Sequence, residues 1–298
     1  MERTKDKYDA KKRSVIYLLL TVGFCLVVGF ISILAPLEMG IAIYSALQKM
    51  FTAIAVIAVL ITRILTKDKS DWNLSFKVWK NGKVLLFSAF LPGLTVLLGA
   101  CVYYLLFPNE LSLNAAALLD FCVQYGLPTG IGVSAGTIAI TAIVLWFASA
   151  LAIPIHLLEL GEEIGWRGYL LPQLLKFMSD RSAALISGIL WGIMHAPLIY
   201  FGFNYGNGYW GAPYSGILLM IVLCVSLGIC MSYTMLKTNN CMYAAIIHGA
   251  FNVAADMQII SHTIGRPLLG PAPTGIIGMS LILVTAIVLF LRIPTKKY

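Results

Sequence analysis

An all-α, polytopic transmembrane bundle of about eight spans, with both termini cytoplasmic, is the fold class this sequence predicts, and three observations predict it. Of the 298 residues 59% are hydrophobic and only 11% are charged, where a soluble domain has about a quarter charged. Apolar runs of the roughly 20 residues that a span requires recur along the whole chain, leaving no room for a sizeable soluble domain. The positive residues are confined to alternate connections: of 21 Lys and Arg, all but Lys49 and Arg266 fall in the N-terminal tail, the second, fourth and sixth connections, or the C-terminal tail. Positive residues mark the cytoplasmic side, so this alternation implies an even number of spans. The net charge of +8 therefore describes membrane flanks, and nucleic acid is not an expected partner.

Residues 1–13 form a basic cytoplasmic tail, residues 14–293 the helical bundle, and residues 294–298 a second short tail. The first span follows the tail directly, from Ser14 to about Pro36, and is too long to be the core of a cleaved signal peptide. The second covers roughly Ile41 to Ile61. Trp72, Phe76 and Trp79 stand at i, i+4 and i+7 in the basic stretch that follows, which predicts a short amphipathic helix lying in the interface. The third span runs from about Val84 to Phe107. The fourth begins near Ile138, should kink at Pro154, and continues through an acidic stretch towards Tyr169. The fifth (about Ala183 to Tyr200) precedes a Gly- and aromatic-rich loop, read as a surface aromatic belt. The sixth (Ile217 to Leu236), seventh (Met242 to Ile260) and eighth (Ile276 to Leu291) complete the set. The six cysteines lie in or beside apolar runs without a CxxC pair and read as small core residues.

Chemistry is concentrated between Leu157 and Gln173. Glu159, Glu162 and Glu163 share one broad helix face, and Glu163 reaches Arg167 at i,i+4. His195 lies in the fifth span, and His248 and Asn252, again i,i+4, lie in the seventh. Ionisable groups at such depth are costly and by default face a protein interior or a water-filled cavity. Converging, they would make a site.

Glu162-Glu163-x-x-x-Arg167, an aromatic residue (Trp191) four before His195, and His248-x-x-x-Asn252 resemble, in order, type and separation, the three motifs of the CAAX prenyl endopeptidase and bacteriocin-processing (CPBP) family of intramembrane proteases. One departure is that the second motif usually opens with Phe. The resemblance implies a protease-like core in about 138–260, in a multi-pass protein of the cell membrane, acting on a peptide or membrane-protein substrate near the cytoplasmic leaflet. It implies Glu162 as general base, His195 as the residue orienting the attacking water, Glu163 and Arg167 as a structural pair, and His248 and Asn252 as donors to the oxyanion. His156, Glu159 and Asp256 lie outside the motifs and are expected to be supporting residues, with a hydrogen bond between His156 and Glu159 at i,i+3.

No cofactor is expected. Zinc is the alternative, with Glu162, His195 and His248 as ligands and water as the fourth. Against it, the i,i+4 partner of His248 is Asn252, a poor zinc ligand, whereas common zinc proteases place two histidines there. A second function class is a non-catalytic immunity or regulatory factor or a transporter component on the same scaffold. The paired broken helices of many transporters are not evident. The substrate is open between prenylated CAAX ends and bacteriocin precursors; no residue pattern identifies a prenyl-binding groove, and the short lysine tails without a targeting signal make a CAAX end the less expected of the two.

Overall fold

The computed structural model of the chain describes residues 2–110, 135–256 and 266–295. Much of the third connection, Asp120, the end of the seventh span, the side chain of Asp256 and the last residues of the C-terminal tail lie outside the described residues. Those that are described form helices and no strand, as the composition predicts. In chain order they are α1 (Glu2–Leu18), joined by a π turn (Leu19–Gly23) to α2 (Phe24–Leu34), then α3 (Leu37–Thr66), α4 (Gly82–Leu106), α5 (Ala135–Leu151), α6 (Ile153–Glu163), a π segment (Ile164–Leu170) leading into α7 (Leu171–Leu174), α8 (Asp180–Met194), α9 (Ala196–Tyr200), α10 (Tyr214–Thr238), α11 (Met242–Asp256) and α12 (Ser280–Arg292).

Among the described residues four helices are long and apolar enough to cross a membrane: Thr4–Leu34, Val78–Leu106, Asp180–Tyr200 and Tyr214–Thr238. Met50–Thr66, Met242–Ala255 and Ser280–Arg292 are shorter apolar helices. The remaining expected span is the α5/α6 pair. Its kink at Pro154 is a complete break: Ala152 leaves the helical region (φ −73°, ψ 58°) and Pro154 sits in the first turn of α6. Proline has no N–H to give a preceding carbonyl and its ring crowds that carbonyl, so helix restarts more easily than it bends. Beyond Glu163 the chain does continue helically to Leu174, as the sequence predicts, through the wider π segment.

Small residues set the helix spacing. Gly188 and Gly192, one turn apart on α8, face α10 so closely that added Cβ atoms would lie 2.8 Å from the Val225 Cα and 2.7 Å from the Ile221 Cα. Close backbone approach of this kind drives association where lipid offers no hydrophobic gain between helices. In the same way Gly249 on α11 meets the backbone of α6, where a Cβ would stand 2.8 Å from the His156 Cα.

The expected interfacial helix at Trp72, Phe76 and Trp79 is not formed. Residues 67–77 are irregular, and only Val78–Asn81 make a short 3-10 turn. Asp68 and Asp71 turn the chain by accepting from the N–H groups of Ser70 (3.0 Å) and Asn73 (3.2 Å), and Asn73 is left-handed (φ 51°). Such side-chain turns compete with helix. The segment is held as a lid over the α10–α11 turn: Asn240 accepts from Ser75 N (2.9 Å) and donates to Ser75 O (2.8 Å), and Cys241 N donates to Asn73 O (2.8 Å). Arg63 reaches back to Ser70 O (2.6 Å) and Asp71 O (2.9 Å) and stacks on Trp72.

The same end of the bundle gathers other ties. Arg13 pairs with Asp68 (3.4 Å), Lys176 with Asp6 (3.0 Å), and Arg181 donates to Leu291 O (2.7 Å) and Ile293 O (3.0 Å). Burial works against ionisation of Asp68, yet the Ser70 N–H and then Arg13 hold its carboxyl below the usual value. Arg63, Arg13, Lys176 and Arg181 thus fall at one end, as an even number of passes requires. At the other end Arg266 pairs with Glu110 (2.7 Å).

Asn240→Ala removes both bonds to the exposed Ser75 backbone and takes the acceptor from the buried Met242 N–H (3.1 Å). The expected cost is about 1–3 kcal/mol, read as a lowered Tm of the detergent-solubilised protein, with Ser75→Ala, which keeps the backbone bonds, close to wild type.

Candidate active site

Four elements bring the candidate residues together. α6 and the π segment carry Glu159, Glu162, Glu163 and Arg167; α8 carries Trp191 and ends at His195; α11 carries His248 and Asn252. α10 forms the wall behind Arg167: a Cβ at Gly228 would lie 2.9 Å from Arg167 Nη2, so glycine makes room for the guanidinium.

The centre is an ion pair wholly withdrawn from solvent. Arg167 Nη1 lies 3.0 Å from both Glu163 Oε1 and Oε2, and both side chains are 0% exposed. The guanidinium also stacks 4.5 Å from the centroid of the Trp191 ring, a contact worth most when desolvated. Glu163 has a second cation-capable neighbour, His248 Nδ1, at 3.0 Å from Oε1. A carboxylate accepts, so Nδ1 is the donor, and the histidine ring is thereby fixed in orientation.

Glu162 is buried beside this pair and points elsewhere. Its Oε2 accepts from the indole Nε1 of Trp191 at 2.9 Å. The Trp191 ring in turn lies edge-on to the rings of His195 (5.7 Å) and His248 (5.1 Å). His195 is turned by its own helix: Nδ1 donates to Trp191 O at 2.8 Å. In the neutral ring this leaves Nε2 as the acceptor. Glu162 and His195 are therefore joined through one tryptophan, whose indole N–H holds the acid and whose carbonyl holds the histidine. Sequence reasoning marked Trp191 only as an aromatic in the place of Phe; its N–H, which Phe lacks, is what the structure uses.

Glu159 is closer to the site than its position outside the motifs suggests. Its Oε1 accepts from Asn252 Nδ2 at 3.1 Å, and its Oε2 lies 3.6 Å from His248 Nε2. The expected bond between His156 and Glu159 is not made. His156 Nε2 turns instead to Ser149 O across the α5–α6 break (3.1 Å), because the helix interruption leaves that carbonyl without its i+4 partner. The i,i+3 spacing gave the right face for Glu159 and the wrong partner.

The alternative zinc set does not fit these side chains as they stand. His248 turns both ring nitrogens to carboxylates, whereas a ligand needs a nitrogen lone pair aimed at the metal. Among the described residues no group of three or more His, Cys, Asp or Glu is arranged to hold a metal ion.

Residues 139–254, from α5 into α11, match the family described as Type II CAAX prenyl endopeptidase Rce1-like. No curated protein matches the chain. The matched segment contains every motif residue and Glu159, and excludes the first four helices.

Gly249→Ala tests the packing that sets His248 opposite α6. The new methyl would meet backbone, which cannot swing aside, so a loss of stability of roughly 1–3 kcal/mol is expected, seen as a lowered Tm. Gly208→Ala, at a position with open space, should leave Tm unchanged.

Proposed function

We propose, from the match of residues 139–254 to the type II CAAX prenyl endopeptidase Rce1-like family, that Glu162, His195, His248 and Asn252 carry out intramembrane peptide hydrolysis here by a metal-free glutamate mechanism. The observation that carries the reading is the division of labour between adjacent carboxylates. Glu163 is consumed by Arg167 and His248, whereas Glu162 spends one oxygen on Trp191 and has its other oxygen for a water.

In the proposed reaction a water donates one hydrogen bond to Glu162 and one to His195 Nε2. Glu162 takes its proton as the oxygen attacks the scissile carbonyl carbon, so the C–O bond forms while the carbonyl π electrons move to oxygen. His248 and Asn252 donate to that oxyanion; preorganised donors in a water-poor site each contribute about 3 kcal/mol. Glu162 then hands the proton to the departing amine as the C–N bond breaks, which restores the carboxylate. Glu163 and Arg167 take no part in proton transfer. They hold His248 in line.

The substrate in this reading is a peptide or a membrane protein bearing a CAAX-type end, and the basic end of the bundle faces the cytoplasm at the cell membrane. The distribution of Lys and Arg supports that orientation.

Glu162→Gln removes the base at nearly constant shape. Cleavage of a quenched prenylated CAAX peptide should fall by roughly 10²–10⁴-fold with Tm unchanged, and an active Glu162→Gln protein would sink the assignment. Glu163→Gln should instead lower stability, by about 3–5 kcal/mol, because it leaves the Arg167 charge buried and uncompensated; Arg167→Ala should resemble it.

On metal, the purified protein is expected to contain zinc well below one equivalent and to keep its activity after prolonged chelation. Activity lost to chelator and restored by zinc, with one metal bound per chain, would decide for a metalloprotease.

A further inference from the structure

The two donors proposed for the oxyanion are not idle in this structure. Asn252 Nδ2 donates to one oxygen of Glu159 and His248 Nε2 faces the other, at 3.1 Å and 3.6 Å. One carboxylate, with one oxygen for each donor, therefore stands where the tetrahedral intermediate would place its negative oxygen. Two anions cannot share those donors without strong repulsion. We propose that Glu159 is a built-in, displaceable occupant of the oxyanion site, which substrate must push aside before His248 and Asn252 can serve the reaction. The proposal rests on the reading of these two residues as oxyanion donors.

Glu159 differs from its neighbours in being able to leave. Glu163 has no exposed side-chain surface and is locked by Arg167, while the Glu159 side chain is 16% exposed. It lies on the first turns of α6, close after the break at Ala152, and next to residues whose side chains face outward, Leu157 and Leu158. Its departure also leaves the donors aimed, because His248 keeps its Nδ1 bond to Glu163 and Gly249 keeps α11 against α6. The occupant is thus on the accessible side of the donors and the structural pair on the closed side.

The sign of a single substitution separates this role from a supporting one. If Glu159 merely positions His248 and Asn252, its removal lowers kcat/KM; as an occupant, its removal raises it. With the quenched prenylated CAAX peptide, Glu159→Ala should raise kcat/KM by roughly tenfold or more, which corresponds to about 1.4 kcal/mol per factor of ten. Glu159→Asp keeps the charge on the helix but falls a methylene short of the donors, so it should follow Glu159→Ala. Wild-type-like kinetics in Glu159→Asp, or reduced kcat/KM in either variant, overturns the proposal.

Formate supplies a second reading that needs no substrate turnover. In Glu159→Ala the donors are released, and this small carboxylate should take the place of the lost one, raising Tm at tens of millimolar against a chloride control. Wild type and the double variant Glu159→Ala/Asn252→Ala should not respond. Formate should also inhibit Glu159→Ala and not wild type. No formate-specific shift in Glu159→Ala overturns the proposal irrespective of what the protein cleaves. His248→Ala and Asn252→Ala, run in the same cleavage assay, locate the fault: if both remain fully active the oxyanion assignment fails and the occupant fails with it, whereas if both are inactive and Glu159→Ala gains nothing only the occupant fails.

Discussion

The site depends on one buried charge pair. Glu163 and Arg167 are each fully withdrawn from solvent at the centre of a bundle, where an uncompensated charge would cost several kcal/mol. Their pairing fixes more than a local turn. It requires the chain to remain helical through Ile164–Leu170, it requires α10 to offer a glycine at 228, and it turns the face of Trp191 towards the guanidinium. Two of these consequences position candidate site residues: the helical continuation sets Glu162 inside the bundle, and the stacked tryptophan presents its N–H to Glu162 and its carbonyl to His195. Arg167 Nε and Nη2 have no hydrogen-bond acceptor among the described residues, so the pair is held by ion pairing and ring contact and has little tolerance for movement.

Close helix approach is the second constraint, and glycine supplies it. Polar networks between helices are short-range, so donors and acceptors on α6, α8 and α11 meet only if their backbones do. Gly188 and Gly192 bring α8 against α10, and Gly249 brings α11 against α6. The candidate site residues and those that permit contact alternate on the same helices: Gly192 lies three residues before His195, and Gly249 directly follows His248.

The fold class and the Glu163–Arg167 pair were legible in the sequence because both are written in local periodicity. Apolar runs and positive flanks locate the helices, and Glu163 with Arg167 is an i,i+4 pair that forms as the spacing implies. The resemblance in order and spacing likewise falls inside the matched segment. What was not legible depends on partners distant in the chain. Nothing near Asn240 reveals that it will bind Ser75, 165 residues away, so Trp72, Phe76 and Trp79 read as a helix face when the segment is in fact a lid. Glu159 lies outside the motif, and its partner Asn252 is 93 residues on. His156 is misread for a related reason, since its partner is a carbonyl released by a helix break whose sharpness the sequence only suggested.

The lid also resolves a difficulty of depth. Counted along straight helices at about 1.5 Å per residue, His248 lies only some 9 Å from the start of α11, while Glu162 is about 18 Å from the end of α7, so the two should not meet. The count assumes that each helix starts at the membrane surface. α11 does not: its first turn follows Asn240 and Cys241, both buried, beneath residues 67–77. With its start sunk below the lid, six residues suffice to carry His248 to the level of Glu163. The same arrangement closes the basic end over the site, where Trp166 and Tyr169 are buried against Tyr17. The less closed side is that of α6, where Glu159 keeps part of its surface and Leu157 and Leu158 face outward.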